Sequence, residues 1–196
     1  RQQYFRMQRI VDLVLLDATF ELSSAKLFPA GYLREPLSHV RRATHILLTH
    51  SDLAPRAQLE TMTEILRKHN PTAPIMRSRH VPAALYELGR PEAVLELAEL
   101  QGLSAMPVSA IGNPSSFGAA LMELGARVPE QLTFADHHDY SASDWDRVRE
   151  AAQAHSPDCI VVTEKDAVKL PPAPPDLPPA LVLAVDLEIT DGEEAW

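Results

Sequence analysis

The sequence predicts an α/β protein built on a mostly parallel sheet, and three observations lead to that class. Apolar runs of strand length alternate with amphipathic helical patterns, which is the arrangement that gives parallel sheets. The 196 residues are 45% hydrophobic and 23% charged, as in globular proteins. The single cysteine, Cys159, excludes an intrachain disulfide framework and a thiolate metal cluster, and no apolar run reaches the ~18 residues of a membrane span.

The first strand is predicted over residues 10–16, an apolar run that contains Asp12 and is followed by Asp17. A second run at 45–49 precedes a helix whose apolar residues recur at helical spacing, namely Leu59, Met62, Ile65 and Leu66. The same alternation predicts strands over 73–76, 106–111, 128–134, 159–163 and 181–187, and helices over 115–124 and 143–154. Each of the three helices follows a strand, which indicates β-α units.

Residues 81–102 are expected to be helical and to connect two strand-rich halves. We therefore expect a domain boundary there, with residues 1–80 in one domain and residues 81–196 in a second, C-terminal α/β domain. Six prolines between Pro171 and Pro179 predict a stiff extended loop before the last strand.

The net charge of −9 is unevenly distributed along the chain. Residues 1–50 contain seven basic and four acidic side chains, so they carry +3 and the rest carries −12. This balance argues against general nucleic-acid binding but leaves room for a local anion site. Arginine outnumbers lysine fourteen to four, which suits bidentate phosphate recognition, although a codon preference explains the same ratio.

Polar residues follow the predicted strands, where parallel sheets place their functional sites. Asp17 follows the first strand and leads into a long loop in which Arg34 and Glu35 precede Pro36. A loop of that length is commonly functional. A phosphate contact by Arg34 and a local Arg34–Glu35 ion pair that caps the next helix are both open.

Three further strand ends carry candidates. The sequence Thr-His-Ser-Asp at 49–52 is similar to the loop that reads the base in phosphate-loop proteins, but His50 stands where lysine is expected and a turn capped by Asp52 explains it equally. Asn113, in Ile-Gly-Asn-Pro, is either a helix cap or a site residue. Glu164 and Lys165 at 163–166 are either site residues or a salt-bridged cap.

The stretch Asp136-His137-His138-Asp139 predicts a metal site or a histidine base oriented by a carboxylate. Adjacent side chains diverge, so one functional histidine and one surface histidine are expected rather than two ligands of one metal. The sequence contains neither G-x-x-x-x-G-K-[ST] nor G-x-G, so it has no recognisable triphosphate cradle of its own.

Four motifs, taken in order, resemble the tetraacyldisaccharide 4′-kinase family, the lipid A kinases of Gram-negative bacteria. They are Leu-Phe-Pro-Ala-Gly-Tyr-Leu-Arg-Glu-Pro-Leu at 27–37, Ile-Gly-Asn-Pro at 111–114, Phe-Ala-Asp-His-His-Asp-Tyr at 134–140 and Thr-Glu-Lys-Asp-Ala-Val-Lys-Leu at 163–170. The family carries an upstream phosphate loop and an Asp-Asp-Gly-Phe-Gln-His stretch, in which Gln3 matches the glutamine and Tyr4 replaces the histidine. We therefore expect this chain to be the C-terminal portion of such a kinase. Tyr32 in place of proline and residues 22–25 in place of a Gly-Asn-Gly run depart from the pattern.

The resemblance implies a partial phosphate-loop NTPase-type parallel sheet, followed by the smaller α/β C-terminal domain of that family. It implies transfer of the γ-phosphoryl group of ATP to the 4′-hydroxyl of a tetraacyldisaccharide 1-phosphate, the lipid A disaccharide precursor. ATP and Mg²⁺ are then the cofactors, with most of their ligands upstream and no metal ligand assigned in this chain. It also implies a cytoplasmic location with peripheral contact to the inner membrane and no nucleic-acid partner.

By the same resemblance, His137 is the catalytic residue that takes the hydroxyl proton. Arg34 contacts the transferring or substrate phosphate, and Glu35 orients either Arg34 or the sugar. Residues of second rank are Asp17, Asn113, Asp136, Glu164 and Lys165. Two alternatives remain open, a degenerate non-catalytic domain derived from the kinase and a metal-dependent phosphoesterase that uses Asp136, His137 and His138. The chain alone is expected to be inactive.

Overall fold

A computed structural model describes residues 11–31, 33–136 and 138–195. The chain divides into two compact units, one formed by residues 1–80 with 187–196 and the other by residues 81–186. The strands are β1 (Leu13–Asp17), β2 (His45–Thr49), β3 (Ile75–Glu87), β4 (Arg90–Leu95), β5 (Ala105–Ser109), β6 (Leu132–Thr133), β7 (Cys159–Thr163) and β8 (Ala180–Asp191). The α-helices are α1 (Arg56–His69), α2 (Pro114–Glu123), α3 (Asp144–His155) and α4 (Glu164–Ala167). The predicted α/β class with a mostly parallel sheet is confirmed.

In the first unit, β1 pairs with β2 and β2 with β3, both in parallel. Helix α1 begins after Pro55 and buries Leu59, Met62 and Leu66, which recur at helical spacing and join Ile46 and Leu48 of β2 in one core. The helix ends at Asn70, whose buried side-chain amide donates to the carbonyl oxygens of Val40 and Ala43. Short 3₁₀ helices lie at Leu22–Ser24, Leu37–Arg42 and Glu193–Ala195.

In the second unit, β5 lies between β6 and β7, and β7 pairs with β8, all in parallel. Helix α3 buries Trp145 and Val148 in one core with Ile160 and Val162 of β7. Both sides of β7 are buried, which explains why its sequence is a continuous apolar run. Strand β8 is the neighbour of β3, and each of these two strands contributes residues to both units.

The helix predicted over residues 81–102 is wrong. That stretch forms the second half of β3, then β4, and a 3₁₀ helix at Leu97–Leu100. Gly89 has a φ of +82° in the tight turn between the two strands, a conformation that favours glycine, and Leu85 then pairs with Leu95 across the hairpin. The strand predicted over 128–134 shrinks to Leu132–Thr133.

Candidate functional site

The carboxyl ends of β5, β6 and β7 lie along one edge of the second unit, because the three strands are parallel. Segments 134–140 and 163–166 both begin there, so this edge carries Asp136, Glu164 and Lys165. The Lys165 ammonium lies 3.0 Å from an oxygen of Asp136. Glu164 accepts a hydrogen bond from the Tyr86 hydroxyl at 3.4 Å. The fold therefore joins two of the motifs that the sequence singles out.

Asp166 holds two of these strand ends together from inside the unit. Its side chain is fully buried, and Oδ2 accepts from the Thr163 hydroxyl at 2.7 Å and from the Ala110 backbone N–H at 3.1 Å. The Thr163 oxygen in turn accepts from the Asp166 N–H at 3.2 Å and caps α4. Segment 163–166 is thus a helix cap, but Thr163 caps it through hydrogen bonds, and its salt bridge, Lys165–Asp136, reaches a different segment. A role for Glu164 and Lys165 in a site stays a prediction.

The segment after β6 is packed by aromatic contacts. The Phe134 ring stacks on His138 with centroids 4.9 Å apart, and Tyr140 meets both rings edge-on at 5.2 and 5.0 Å. The Arg147 guanidinium lies 4.4 Å from the centroid of Phe134. Burial and the nearby Asp166 carboxylate raise the pKa of Tyr140, so its hydroxyl stays protonated.

His138 lies against a carboxylate that the sequence motif does not contain. Its Nε2 is 3.1 Å from Oδ2 of Asp144, at the start of α3, and its side chain is 30% exposed. The Ser141 backbone N–H donates to Asp144 at 2.7 Å and, with the His138 contact, lowers the pKa of that carboxyl. A histidine oriented by a carboxylate is therefore present, and His138 is not the surface histidine expected of this motif. His137 lies outside the described residues.

Asn113 caps α2, as the capping interpretation predicts. Its side-chain oxygen accepts from the Ser116 N–H at 3.3 Å and from the Ser115 hydroxyl at 2.9 Å, and Pro114 is the first helical residue. A role for Asn113 in a site stays a prediction.

In the first unit, the ends of β1 and β2 bring Asp17 to His50, with Oδ2 and Nδ1 3.2 Å apart. The other oxygen of Asp17 accepts from the Thr19 N–H at 2.9 Å and from its hydroxyl at 2.6 Å. Partial burial alone raises the pKa of Asp17, but the contacts with His50 and Thr19 outweigh it and lower the pKa to about 2. The same contact raises the pKa of His50.

The turn that carries His50 is strained and tied down. His50 has a φ of 52°, which costs a residue other than glycine about 1 kcal/mol or more. The Ser51 N–H and hydroxyl both donate to the Ser78 carbonyl oxygen, at 3.0 and 2.9 Å. The His50 ring lies 4.5 Å from that of His80, whose pKa is lowered by burial and by the His50 charge. Asp52 is exposed beside this pair.

In the loop before the 3₁₀ helix Leu37–Arg42, Arg34 and Glu35 have different surroundings. Glu35 Oε2 lies 2.8 Å from Arg42 and 3.0 Å from His39. Arg34 is exposed, and its side chain makes no hydrogen bond or ion pair with any described residue. A local Arg34–Glu35 ion pair is therefore wrong, and so is the expectation that Glu35 orients Arg34 by contact. The arginine that pairs with Glu35 is Arg42, which lies seven residues later, one helical turn after His39.

Within the described ranges, no group of three or more His, Cys, Asp or Glu side chains is arranged to hold a metal ion. A search of the same residues found no helix both long and apolar enough to cross a membrane.

A family model for tetraacyldisaccharide-1-P 4′-kinase (LpxK) matches residues 2–196. The chain is 37% identical over 171 residues to a tetraacyldisaccharide 4′-kinase of Anaeromyxobacter dehalogenans strain 2CP-C, a match that covers 87% of this chain and 45% of the relative. It is 33% identical to the Halothermothrix orenii enzyme of that name, covering 85% and 46%. A probable mitochondrial tetraacyldisaccharide 4′-kinase of Arabidopsis thaliana is 31% identical over 96% of this chain and 49% of its own length.

Among solved structures, "apo" form LpxK from Aquifex aeolicus in complex with ATP has a similar fold. The TM-score is 0.54 at 22% identity, covering 95% of this chain and 50% of that one. The chain therefore spans about half the length of the curated relatives and of the solved chain that it matches.

Proposed function

Because this chain belongs to the tetraacyldisaccharide-1-P 4′-kinase family, we propose that it forms the C-terminal portion of a lipid A pathway kinase. The kinase transfers the γ-phosphoryl group of ATP to the 4′-hydroxyl of a tetraacyldisaccharide 1-phosphate. The observation that carries the proposal is the family match over residues 2–196, which includes all four motifs in order. The coverage of about half of each relative supports the assignment to one portion of a longer enzyme.

In this proposal, residues 1–80 are the remaining part of the nucleotide-binding domain and residues 81–196 are the C-terminal domain. ATP is the phosphoryl donor, since the solved LpxK structure of similar fold is a complex with ATP. The phosphate loop comes from residues other than these 196, because no such loop exists in this sequence. The enzyme works at the cytoplasmic face of the inner membrane, where its lipid substrate lies.

His137 is the proposed general base, and the residues around it supply the supporting argument. The segment that contains His137 is anchored on one side by Phe134 stacked on His138, and on the other by Tyr140 beside Asp166. Lys165 neutralises the flanking Asp136 at 3.0 Å. The described neighbours on either side, Asp136 and His138, follow β6 at the carboxyl edge of the parallel sheet, where such sheets bind substrates, and this supports the proposal.

Arg34 is the proposed phosphate contact because it is exposed and unpaired among the described residues. Both described contacts of Glu35 use Oε2, so Oε1 is the oxygen that we assign to the sugar. Asp17 holds His50 and stabilises the turn after β2. We assign Glu164 and Lys165 to positioning the carboxyl edge of the second unit through their contacts with Tyr86 and Asp136, rather than to binding the phosphate donor.

The described residues do not fit a complete Mg²⁺ site, since they offer no group of three suitable side chains. We assign this chain no step through the metal. The same observation gives no support to a phosphoesterase that uses Asp136, His137 and His138, because Asp136 contacts Lys165 and His138 contacts Asp144.

The test joins this chain to the N-terminal half of the Anaeromyxobacter dehalogenans relative, and we call the product the joined kinase. Transfer of ³²P from labelled ATP to tetraacyldisaccharide 1-phosphate is measured for it and for the 196-residue chain alone. We expect turnover only in the joined kinase. His137→Ala should lower its kcat by about 10²–10⁴-fold with little change in KM, because a positioned base acts in the transition state.

His138→Ala is the matched control and should lower kcat much less, because His138 packs on Phe134 and Tyr140. Equal losses in the two variants would indicate that the histidines act as one unit and would contradict the assignment of His137. Turnover by the 196-residue chain alone would contradict the proposal that it is only a portion of the enzyme. A well-folded joined kinase with no transfer would favour the non-catalytic alternative.

A further inference from the structure

Residues 27–30 form an exposed apolar tip in the first unit, and we call them the apolar tip. They read Leu-Phe-Pro-Ala, and all four side chains are exposed. Phe28 is 77% exposed and Leu27 is 45% exposed. Two adjacent large apolar side chains in water are unusual on a surface, where such residues are scattered singly.

The shape of the apolar tip is built into the backbone. The Phe28 N–H donates to the Leu33 carbonyl at 2.8 Å, and the Leu33 N–H donates to the Lys26 carbonyl at 3.1 Å. A Cβ added at Gly31 would collide with the Lys26 carbonyl, so the close return of the chain requires glycine at this position. The exposure of Phe28 is therefore a consequence of a defined turn.

Two cations flank the apolar tip. Lys26 and Arg34 are both exposed, and neither forms a hydrogen bond or ion pair with a described residue. The sequence from Lys26 to Arg34 contains no acidic residue and carries +2 in a chain of −9. The nearest acid along the chain, Glu35, is occupied by Arg42 and His39.

Two other strongly exposed apolar residues lack this combination. Val168 is 85% exposed and has Lys165 and Lys169 beside it in sequence. Both lysines are engaged, since Lys165 contacts Asp136 and Lys169 donates to the His138 carbonyl oxygen.

Val94 is 66% exposed, but it stands alone in β4 between Glu92 and Glu96. The carboxylates of two neighbouring acids are repelled by an anionic surface and keep the apolar side chain between them away from it. Two unpaired cations are attracted to such a surface and bring the apolar side chains between them toward it.

We propose that the apolar tip, with Lys26 and Arg34, is a docking surface for an anionic lipid bilayer. Phe28 and Leu27 enter the boundary between headgroups and acyl chains, while the two cations stay at the level of the lipid phosphates. The net charge of −9 opposes general adsorption of the chain to an anionic bilayer, so a loop of local positive charge is the favoured point of contact. Two apolar side chains and two charges give weak, reversible binding that suits an enzyme acting on a lipid.

The inference rests on the proposed function only for its setting, a lipid substrate in a membrane. Its test measures binding without turnover, so a failed kinase assay and a failed binding assay are distinct results. The 196-residue chain is sedimented with vesicles of phosphatidylcholine that contain about 30 mol% phosphatidylglycerol, and with vesicles of phosphatidylcholine alone. We expect binding to the anionic vesicles only, and loss of that binding in about 0.5 M salt.

Phe28→Ser should lower the partition coefficient about tenfold, because the buried aromatic ring is lost. Lys26→Gln should lower it about fivefold through loss of one charge near the surface. Val94→Ser is the control, a residue that is also largely exposed but lies between two acids, and should leave binding unchanged. Far-UV circular dichroism of each variant checks that the fold is kept. Absent binding, equal binding to neutral vesicles, or equal effects of Phe28→Ser and Val94→Ser would overturn the proposal.

A labelling experiment separates insertion from adsorption. Cys159 is buried and its pKa is raised to about 11 by burial, so an engineered thiol is labelled selectively. A polarity-sensitive dye on Phe28→Cys should shift to shorter wavelength with anionic vesicles, and the same dye on Val94→Cys should not. In the joined kinase, strong shielding of the Phe28→Cys dye from iodide without vesicles would show that protein covers the apolar tip, and would also overturn the proposal.

Discussion

Asp17 ends the parallel strand β1 and Asp166 lies three residues after the parallel strand β7, yet the two units use these carboxylates in different ways. Asp166 is fully buried, and its Oδ2 accepts hydrogen bonds from a hydroxyl and a backbone N–H. Asp17 is 41% exposed and lies against His50, a group that titrates near neutral pH. In both units a polar residue lies at or just after the end of a strand, and burial decides whether that residue holds structure or responds to pH.

The same contrast extends to the neighbouring histidines. His138 is packed between aromatic rings and lies near Asp144, the first residue of α3. The Asp144 carboxylate is in turn held by a hydrogen bond from the Ser141 backbone N–H. His50 stands in a left-handed turn with His80 beside it. One histidine is fixed by packing, and the other is fixed mainly by charge.

The largest expected effect tests the structural carboxylate. Asp166→Ala should lower the free energy of unfolding by about 3 kcal/mol, because it leaves the Thr163 hydroxyl and the Ala110 N–H buried without their acceptor. Urea unfolding measures the change. Asp136→Ala, which removes an exposed contact with Lys165, should cost less than about 1 kcal/mol. Similar losses in both variants would mean that burial does not distinguish these acids.

A smaller effect is expected when the Thr163 hydroxyl, which donates a hydrogen bond to Asp166, is removed. Thr163→Val keeps the side-chain volume but removes both the donor to Asp166 and the cap of α4, so it should cost about 1–2 kcal/mol. Thr163→Ser retains the hydroxyl and should recover most of that loss in the same urea experiment. If serine and valine behave alike, packing of the methyl group matters more than the hydrogen bonds.

The sequence predicts an element well when the residues of that element alone determine its conformation, and poorly when distant residues do. Strands β2 and β7 match the predicted ranges 45–49 and 159–163 to the residue, because each is a continuous apolar run with polar ends. The sequence pattern predicts a helix where β3 and β4 form a hairpin, since Leu85 and Leu95 gain their partners only after Gly89 reverses the chain. Propensity cannot reveal a pairing made by a turn.

The candidate site shows the same limit. Asp136, Glu164 and Lys165 come together because parallel strands end at one edge, which the strand pattern predicts. The Asp166–Ala110 hydrogen bond joins residues 56 positions apart, and nothing local in the sequence indicates it. The His138–Asp144 contact depends on the turn before α3, in which the Ser141 N–H donates to the Asp144 carboxylate. The sequence places Glu35 beside Arg34, but Glu35 pairs with Arg42, since the 3₁₀ helix brings that residue back to it.

The pH dependence of stability tests the first unit. The pKa of Asp17 is lowered to about 2, so its contribution is present above the unfolded value of 3.8 and is lost as the pH falls toward 2. The pKa of His50 is raised from 6.5, so its contribution is full below 6.5 and is lost as the pH rises through the folded value. The pair therefore stabilises most between about pH 4 and 6.5.

Asp17→Asn should cost about 1 kcal/mol at about pH 5.5, an estimate reduced because the pair is partly exposed to solvent. The cost should shrink at about pH 3 and pH 8, as urea unfolding at the three pH values will measure. His80 titrates in the opposite sense because its pKa is lowered, so stability gained through it rises with pH. His80→Gln removes that change, so stability should depend less on pH below about 6.5, while the His50 loss above 6.5 remains. An unchanged cost of Asp17→Asn at all three values would show that Asp17 acts like Asp166.

The smallest expected effect on stability belongs to Arg34, and it sharpens the difference between structure and function within one loop. Arg34 has no partner among the described residues, so Arg34→Ala should change the free energy of unfolding by less than about 0.5 kcal/mol. Arg42→Ala removes the 2.8 Å contact with Glu35 and should cost about 0.5–1 kcal/mol.

In the joined kinase the order of the two arginines should reverse, so that activity depends more on Arg34 than on Arg42. Arg34→Lys should lower kcat/KM nearly as much as Arg34→Ala, because lysine keeps the charge but loses the planar fork that grips two phosphate oxygens. Wild-type kcat/KM in Arg34→Lys would remove Arg34 from phosphate recognition and leave it a solvated cation.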